Sequence, residues 1–263
     1  MQHGMHKGAA LRADSSLTGV SQFAAEVVAR LVARDPGDET GPREDVLQRF
    51  MAAIASTDPL AFEELKPELK RARITAALLA DVYIPEVARR LGQAWMDDCA
   101  SFAEVTMGVA RMQAILREIG TAWIADSSGQ ADGPTLLVVL PIGEQHTLGA
   151  MVLAGQLRRL GVSVSMQIAP SVADLGAYVA ARRFDGAMIS VAGDGTLETC
   201  AKLIKIIKSA SVTPIKVAVG GALRETGNDL LQLTGAYVVT NDIEYALSVM
   251  EIVASKSLEM ESA

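Results

Sequence analysis

The sequence predicts an α + α/β protein: an N-terminal helical bundle followed by a flavodoxin/Rossmann-like five-stranded parallel sheet. Three observations carry this. Up to about residue 125, apolar residues recur at three- and four-residue spacings, the period of helices that bury one face. A small, polar, Gly/Pro-punctuated stretch, "DSSGQADGP" (126–134), then interrupts the pattern as a linker would. Beyond it, short apolar runs alternate with amphipathic segments five times, which implies a parallel sheet with helices on both faces.

Composition sets the bounds. The 263 residues are half hydrophobic but only 4% aromatic, so a core must be mostly aliphatic and Met. A net charge of −7 argues against a broad non-specific nucleic-acid surface and leaves room only for a local basic patch. No apolar stretch is long and charge-free enough to span a bilayer, and "MQHGMHKGAALRADSS" lacks the apolar region of a signal peptide. A cytoplasmic protein is expected, with no membrane contact. Cys99 and Cys200 lie far apart without metal-type spacing and read as free thiols.

The elements follow in order. Residues 1–16 form a flexible tail. Residues 17–125 form a bundle of four to five helices, from "SQFAAEVVARLVAR" and "REDVLQRFMAAIA" to "FAEVTMGVARMQAILREIGTAW". Between them, a helical segment over 71–98 is bent or broken at Pro85. Residues 126–134 are the linker, and 135–263 the α/β domain. There "TLLVVLPI", "VSVSMQIA", "GAMISVA", "PIKVAVGG" and "AYVV" are the strands. "LGAMVLAGQLRRLG", "VADLGAYVAARRF" and residues 197–209, 226–233 and 243–256 are the helices. Right-handed crossovers leave few topologies, and five strands favour the order 2-1-3-4-5.

Ligands of such sheets bind beyond the carboxyl ends of the strands, where the strand order reverses. The loops there read "GEQHTLG", "SVAGDG" and "GGALRE". The first is not the Gly-rich turn a dinucleotide needs. A phosphoacceptor site is opposed by "VVTND", which brings no lysine at the end of strand five. No triad, HExxH, P-loop or CxxC is present, so the chain does not read as an enzyme. No helix-turn-helix is evident, so any DNA contact would come through or beside a partner. His146 stands on the ligand edge with Glu144 two residues before it. A metal-ligating imidazole commonly donates its other N–H to a carboxylate. One histidine and no nearby cysteine cannot build a multi-ligand site, so a single axial ligand to a metal held by a macrocycle fits better.

Glu144-Gln145-His146-Thr147-Leu148-Gly149 resembles the Asp-x-His-x-x-Gly loop of cobalamin-binding domains. Ser190-Val191-Ala192 and Gly220-Gly221 resemble that family's Ser-x-Leu and Gly-Gly loops. The resemblance implies that His146 replaces dimethylbenzimidazole as lower axial ligand to cobalt. It also implies that small residues (Ser190, Ala192, Gly220, Gly221) leave room for the displaced tail. Gln145, Thr147, Gly149, Gly193 and Thr240 complete the expected set. Glu144 in place of Asp and Ala192 in place of Leu leave haem as an alternative to adenosyl- or hydroxocobalamin. Residues 91–113 resemble the helical cap over the upper corrin face. There Trp95 is either a contact of the upper ligand or a core anchor. Val105-Thr106 stand where cobalamin photoreceptors carry Glu-His, and Met107 and Met112 read as core filler. His3 or His6 could bring a second imidazole to the upper face. Over nearly its whole length the chain resembles the AerR/PpaA family, cobalamin- or haem-binding regulators of photosynthesis genes. This implies an antirepressor, gated by light or redox, acting through a CrtJ/PpsR-type repressor. The alternatives are a corrinoid methyl-carrier protein and a haem-binding sensor.

Overall fold

The computed structural model describes residues 41–126, 133–144, 147–191, 197–221 and 227–253. The expected tail 1–16, the helix expected around "SQFAAEVVARLVAR" and residues 127–132 of the linker lie outside them.

The bundle begins with α1 (Glu44–Ala55) and α2 (Ala61–Arg71). Val46, Leu47, Phe50 and Ile54 recur at helical spacing on α1 and are all buried. Arg111 reaches across to donate to the Ile54 carbonyl (2.7 Å) and to that of Ser56, capping α1 with a cation where its dipole favours one.

The helical segment expected over 71–98 is bent, as Pro85 requires, but by an unexpected device. A turn, α3 (Ala76–Leu78), runs into a π-helical segment (Leu79–Tyr83) and then into α4 (Ile84–Met96). Pro85 has no N–H to continue the ladder. The chain widens by one residue just before it, and the Ile84 N–H donates to the Leu79 carbonyl, five residues back. The long helix α5 (Phe102–Asp126) follows. "SFAE" at its start is a capping box: the Glu104 N–H donates to Ser101 Oγ, and Ser101 N–H and Oγ–H donate to the Glu104 carboxylate. Those bonds hold the Glu104 pKa below its ordinary value.

The sheet is parallel throughout, in the order β2-β1-β3-β4-β5 that the sequence predicts. Its strands are β1 (Thr135–Leu140), β2 (Ser163–Ile168), β3 (Gly186–Ser190), β4 (Lys216–Gly220) and β5 (Val238–Val239). The helices are α6 (Thr147–Arg159), α7 (Val172–Ala180), α8 (Leu197–Ala210), α9 (Gly227–Thr234) and α10 (Ile243–Met250). Central β1 is buried on both faces, which is why "LLVVL" does not alternate. Leu137 and Val139 join the core under α7 and α8, while Leu136, Val138 and Leu140 join that under α6 and α10.

The last helix is shorter than the 243–256 its pattern suggests. Glu251 adopts a left-handed conformation (φ 61°), and the Ile252 N–H returns to the Leu247 carbonyl. This closes a Schellman-type end that tucks Ile252 into the core. Gly186 makes room for it. A Cβ there would lie 2.5 Å from Met250 Cε and 2.6 Å from Ile252 Cδ1.

From Glu44 onward the chain is one structural unit. Leu148, Met151 and Val152 of α6 pack against the bundle core. Arg159 of α6 pairs with Asp81 of the π segment. Among the described residues no helix is long and apolar enough to cross a membrane.

The cysteines are chemically distinct. Cys99 is exposed in the turn between α4 and α5. Cys200 is buried on α8, and desolvation pushes its thiol pKa up to about 12. Alkylation of the native protein followed by mass spectrometry should therefore label Cys99 alone, with Cys200 reacting only after denaturation. Modification of Cys200 at a comparable rate in the native protein would contradict this burial.

Candidate functional site

The carboxyl ends of β1, β3 and β4 bring the expected loops to one edge. After β1 the chain turns through Pro141-Ile142-Gly143-Glu144, with Gly143 at φ 88° and the Glu144 N–H donating to the Pro141 carbonyl (3.1 Å). Gln145 and His146 lie outside the described residues. Thr147 opens α6, and Gly149 sits exposed in its first turn, where an added Cβ would meet, among the described residues, nothing within 4 Å beyond its chain neighbours and its own helix backbone.

Gly220, the last residue of β4, and Gly221 after it are required by the protein's own backbone. Ser190 pairs in register with Gly220, and the Val191 N–H donates to the Gly220 carbonyl (2.9 Å). A Cβ on Gly220 would lie 2.7 Å from the Thr240 carbonyl oxygen. A Cβ on Gly221 (φ 123°) would overlap the Val191 carbonyl. What these missing side chains accommodate is backbone, because three loops close on one another there. Asn241, which the sequence reading passed over, locks the arrangement. Its Oδ1 accepts from the Gly221 N–H (2.6 Å) and its Nδ2 donates to the Gly221 carbonyl (3.1 Å). Thr240 is half-buried, and its hydroxyl accepts from the Asp242 N–H at the start of α10. Ala192 and Gly193 lie outside the described residues.

The bundle overhangs this edge. Gln113 of α5 donates to Thr147 Oγ1 (2.7 Å) at the start of α6. Further along, residues 116–121 of α5 face residues 151–158 of α6, so the two helices run the same way. The eleven residues of α5 before Gln113 therefore continue past the sheet edge by about 16 Å at 1.5 Å per residue. Antiparallel α4 goes with them: a Cβ on Gly108 would lie 2.9 Å from Leu91 Cδ1, so the two helices touch there. Trp95 and Met96 continue up α4 beyond that contact.

The projecting portion carries exposed apolar side chains: Trp95 (54%), Met96 (74%), Phe102 (75%) and Met107 (42%). This corrects two readings. Trp95 is not a core anchor. Met107 is not core filler, whereas Met112 is fully buried and is. Five residues separate them, a rotation of about 140° around a helix, so both cannot face one core. Val105 is half-buried on the same projecting stretch. Met96 and Phe102, missed in the sequence, belong to this surface, and their apolar character beside the polar "DDCAS" turn is the signal that could have found them. On the sheet side, Ile142 and Ile168 are also more than half exposed, at the ends of β1 and β2.

Solvated apolar side chains on an overhang and on the edge beneath it suit a broad flat apolar group. Gly149 leaves the start of α6 open to close approach. This donor-poor, apolar-rich setting fits a macrocycle that brings its own equatorial ligands. Among the described residues no cluster of three or more His, Cys, Asp or Glu could hold a bare ion. His3 and His6 lie outside the described residues.

Comparison with known proteins gives the chemistry a name. The B12 binding domain family matches residues 134–250. An uncharacterized 20.5 kDa protein of the bchF-crtJ intergenic region of Rhodobacter capsulatus is 42% identical over 186 residues, 71% of this chain and 97% of that protein. The Methanosarcina barkeri monomethylamine corrinoid protein has the same fold. Its TM-score is 0.62 at 12% identity, covering 78% of this chain and 97% of that one.

Proposed function

The chain belongs to the family of the R. capsulatus bchF-crtJ intergenic protein, in keeping with its resemblance to AerR/PpaA proteins, and carries a B12 binding domain; from that premise we propose that it binds cobalamin between the helical overhang and the sheet edge and acts as a light- or redox-responsive antirepressor. The observation that carries the binding reading is the apolar overhang of α4 and α5 above the edge occupied by the "GEQHTLG" loop. The relative's place beside crtJ supports a CrtJ/PpsR-type repressor as partner. The matched domain favours a corrin over haem.

In this reading the chain's residues divide the work. His146 would hold the cobalt through an imidazole nitrogen, and Glu144 would accept the ring's other N–H, fixing the tautomer. Trp95, Met96, Phe102 and Met107 would keep water from the bound group. Gln113 holds the overhang in register with the edge through Thr147. Bound cobalamin supplies a cobalt–carbon bond that light can break, or a cobalt whose ligation changes with redox state. The apolar side chains on the overhang would repack between the two states of the bound group, and their altered surface would be what a repressor reads. The protein performs no bond chemistry of its own on a substrate.

Absorption spectra of the full chain with adenosylcobalamin, in the dark and after illumination, test this together with repressor capture in each state. A light-dependent spectrum with state-dependent repressor binding is expected. Methyl transfer to the bound cobalt by a methyltransferase, without repressor binding, would replace the regulator by a methyl carrier.

A further inference from the structure

A second cleft lies between α5 and α6, running from about 6 to about 16 Å down α6 from Thr147 by helical rise. It encloses about 310 Å³. Leu116, Met151, Ala154 and Met166 give it an apolar lining, and Arg117 and Arg158 add two guanidinium groups, one from each half of the molecule. Three other arginines do have partners. Arg159 pairs with Asp81, Arg90 with Glu44 and Glu86, and Arg111 with two carbonyls. Among the described residues, the side chains of Arg117 and Arg158 have no hydrogen-bond or ion-pair partner, their hydrogen bonds being to the backbone carbonyls. Arg158 is only partly exposed, and desolvation without a compensating acid lowers its pKa.

Partial burial of a guanidinium without a carboxylate costs solvation that nothing in the chain returns. Arg158 and the exposed Arg117 line one cleft, guanidinium groups of the kind that bind phosphate, and the apolar lining suits the rest of an ester. We propose that this cleft binds a small phosphate monoester, with Arg117 and Arg158 gripping the phosphate from the two halves. The site is separate from the sheet edge and does not depend on cobalamin. Its occupancy would tie the bundle to the sheet.

Isothermal titration of the full chain with inorganic phosphate, AMP and adenosine, at matched ionic strength, tests this. Phosphate or AMP should bind and adenosine should not. Arg158→Gln and Arg117→Gln should each weaken binding about tenfold or more. Arg117 is exposed at the cleft, so its variant keeps the test decisive if Arg158→Gln folds poorly. No binding of either phosphate probe, adenosine binding as well as AMP, or undiminished affinity in Arg117→Gln would overturn the proposal.

Discussion

Gly221→Ala should lower the thermal midpoint by roughly 10 °C or leave the α/β domain unable to fold. Two costs add. The φ of 123° is a conformation that side chains rarely adopt, a strain of about 1–3 kcal/mol. The new methyl would also overlap the Val191 carbonyl oxygen and lie 2.8 Å from its carbon, and these are backbone atoms that cannot rotate away. Relief would have to break the Val191 N–H bond to Gly220, the Asn241 clamp on Gly221, or both. The sum is about 3–5 kcal/mol, in the range reached by few single substitutions. Circular-dichroism melts of wild type and variant measure it. A variant melting within about 2 °C of wild type would show that the loops after β3 and β4 do not meet as described. Because the cost falls on protein backbone, it is expected without any cofactor, and that separates this role from the making of room for a cobalamin tail.

His146→Ala should weaken adenosylcobalamin binding by about tenfold or more and abolish the spectrum of a histidine-ligated corrin, leaving the fold intact. His146 follows the Pro141–Glu144 turn in the sequence. A ligand role alone predicts that its loss leaves the melting temperature of the cofactor-free protein unchanged. Added imidazole should restore part of the spectrum by entering the space the side chain vacated. Absorption titration of wild type and variant provides the measurement. Equal affinity with an unchanged spectrum would remove His146 from the cobalt.

Much of this was legible in the sequence because the physics behind it is local. The unbroken apolar run of β1 signalled burial on both faces, and loop polarity picked out the ligand edge. Pro85 announced a break, though not the π-helical form it takes. What stayed hidden depended on contacts between distant residues. Gln113 meets Thr147 only because α5 and α6 run side by side. Nothing near Gly221 in sequence says that the Val191 carbonyl fills the space its side chain would need. The end of α10 was overrun because "SVMEIVASK" keeps a helical pattern while Glu251 turns left-handed to bury Ile252. Arg158 reads as one more helical cation until its partners are sought in space.

The central claim, cobalamin held through His146, is tested most directly by electron paramagnetic resonance of cob(II)alamin bound to full-length protein grown with ¹⁵N-histidine. A lower imidazole nitrogen of nuclear spin one-half should split the cobalt lines into doublets, and His146→Ala should lose them. Triplets from the unlabelled dimethylbenzimidazole nitrogen, or no bound cobalamin at all, would contradict the account.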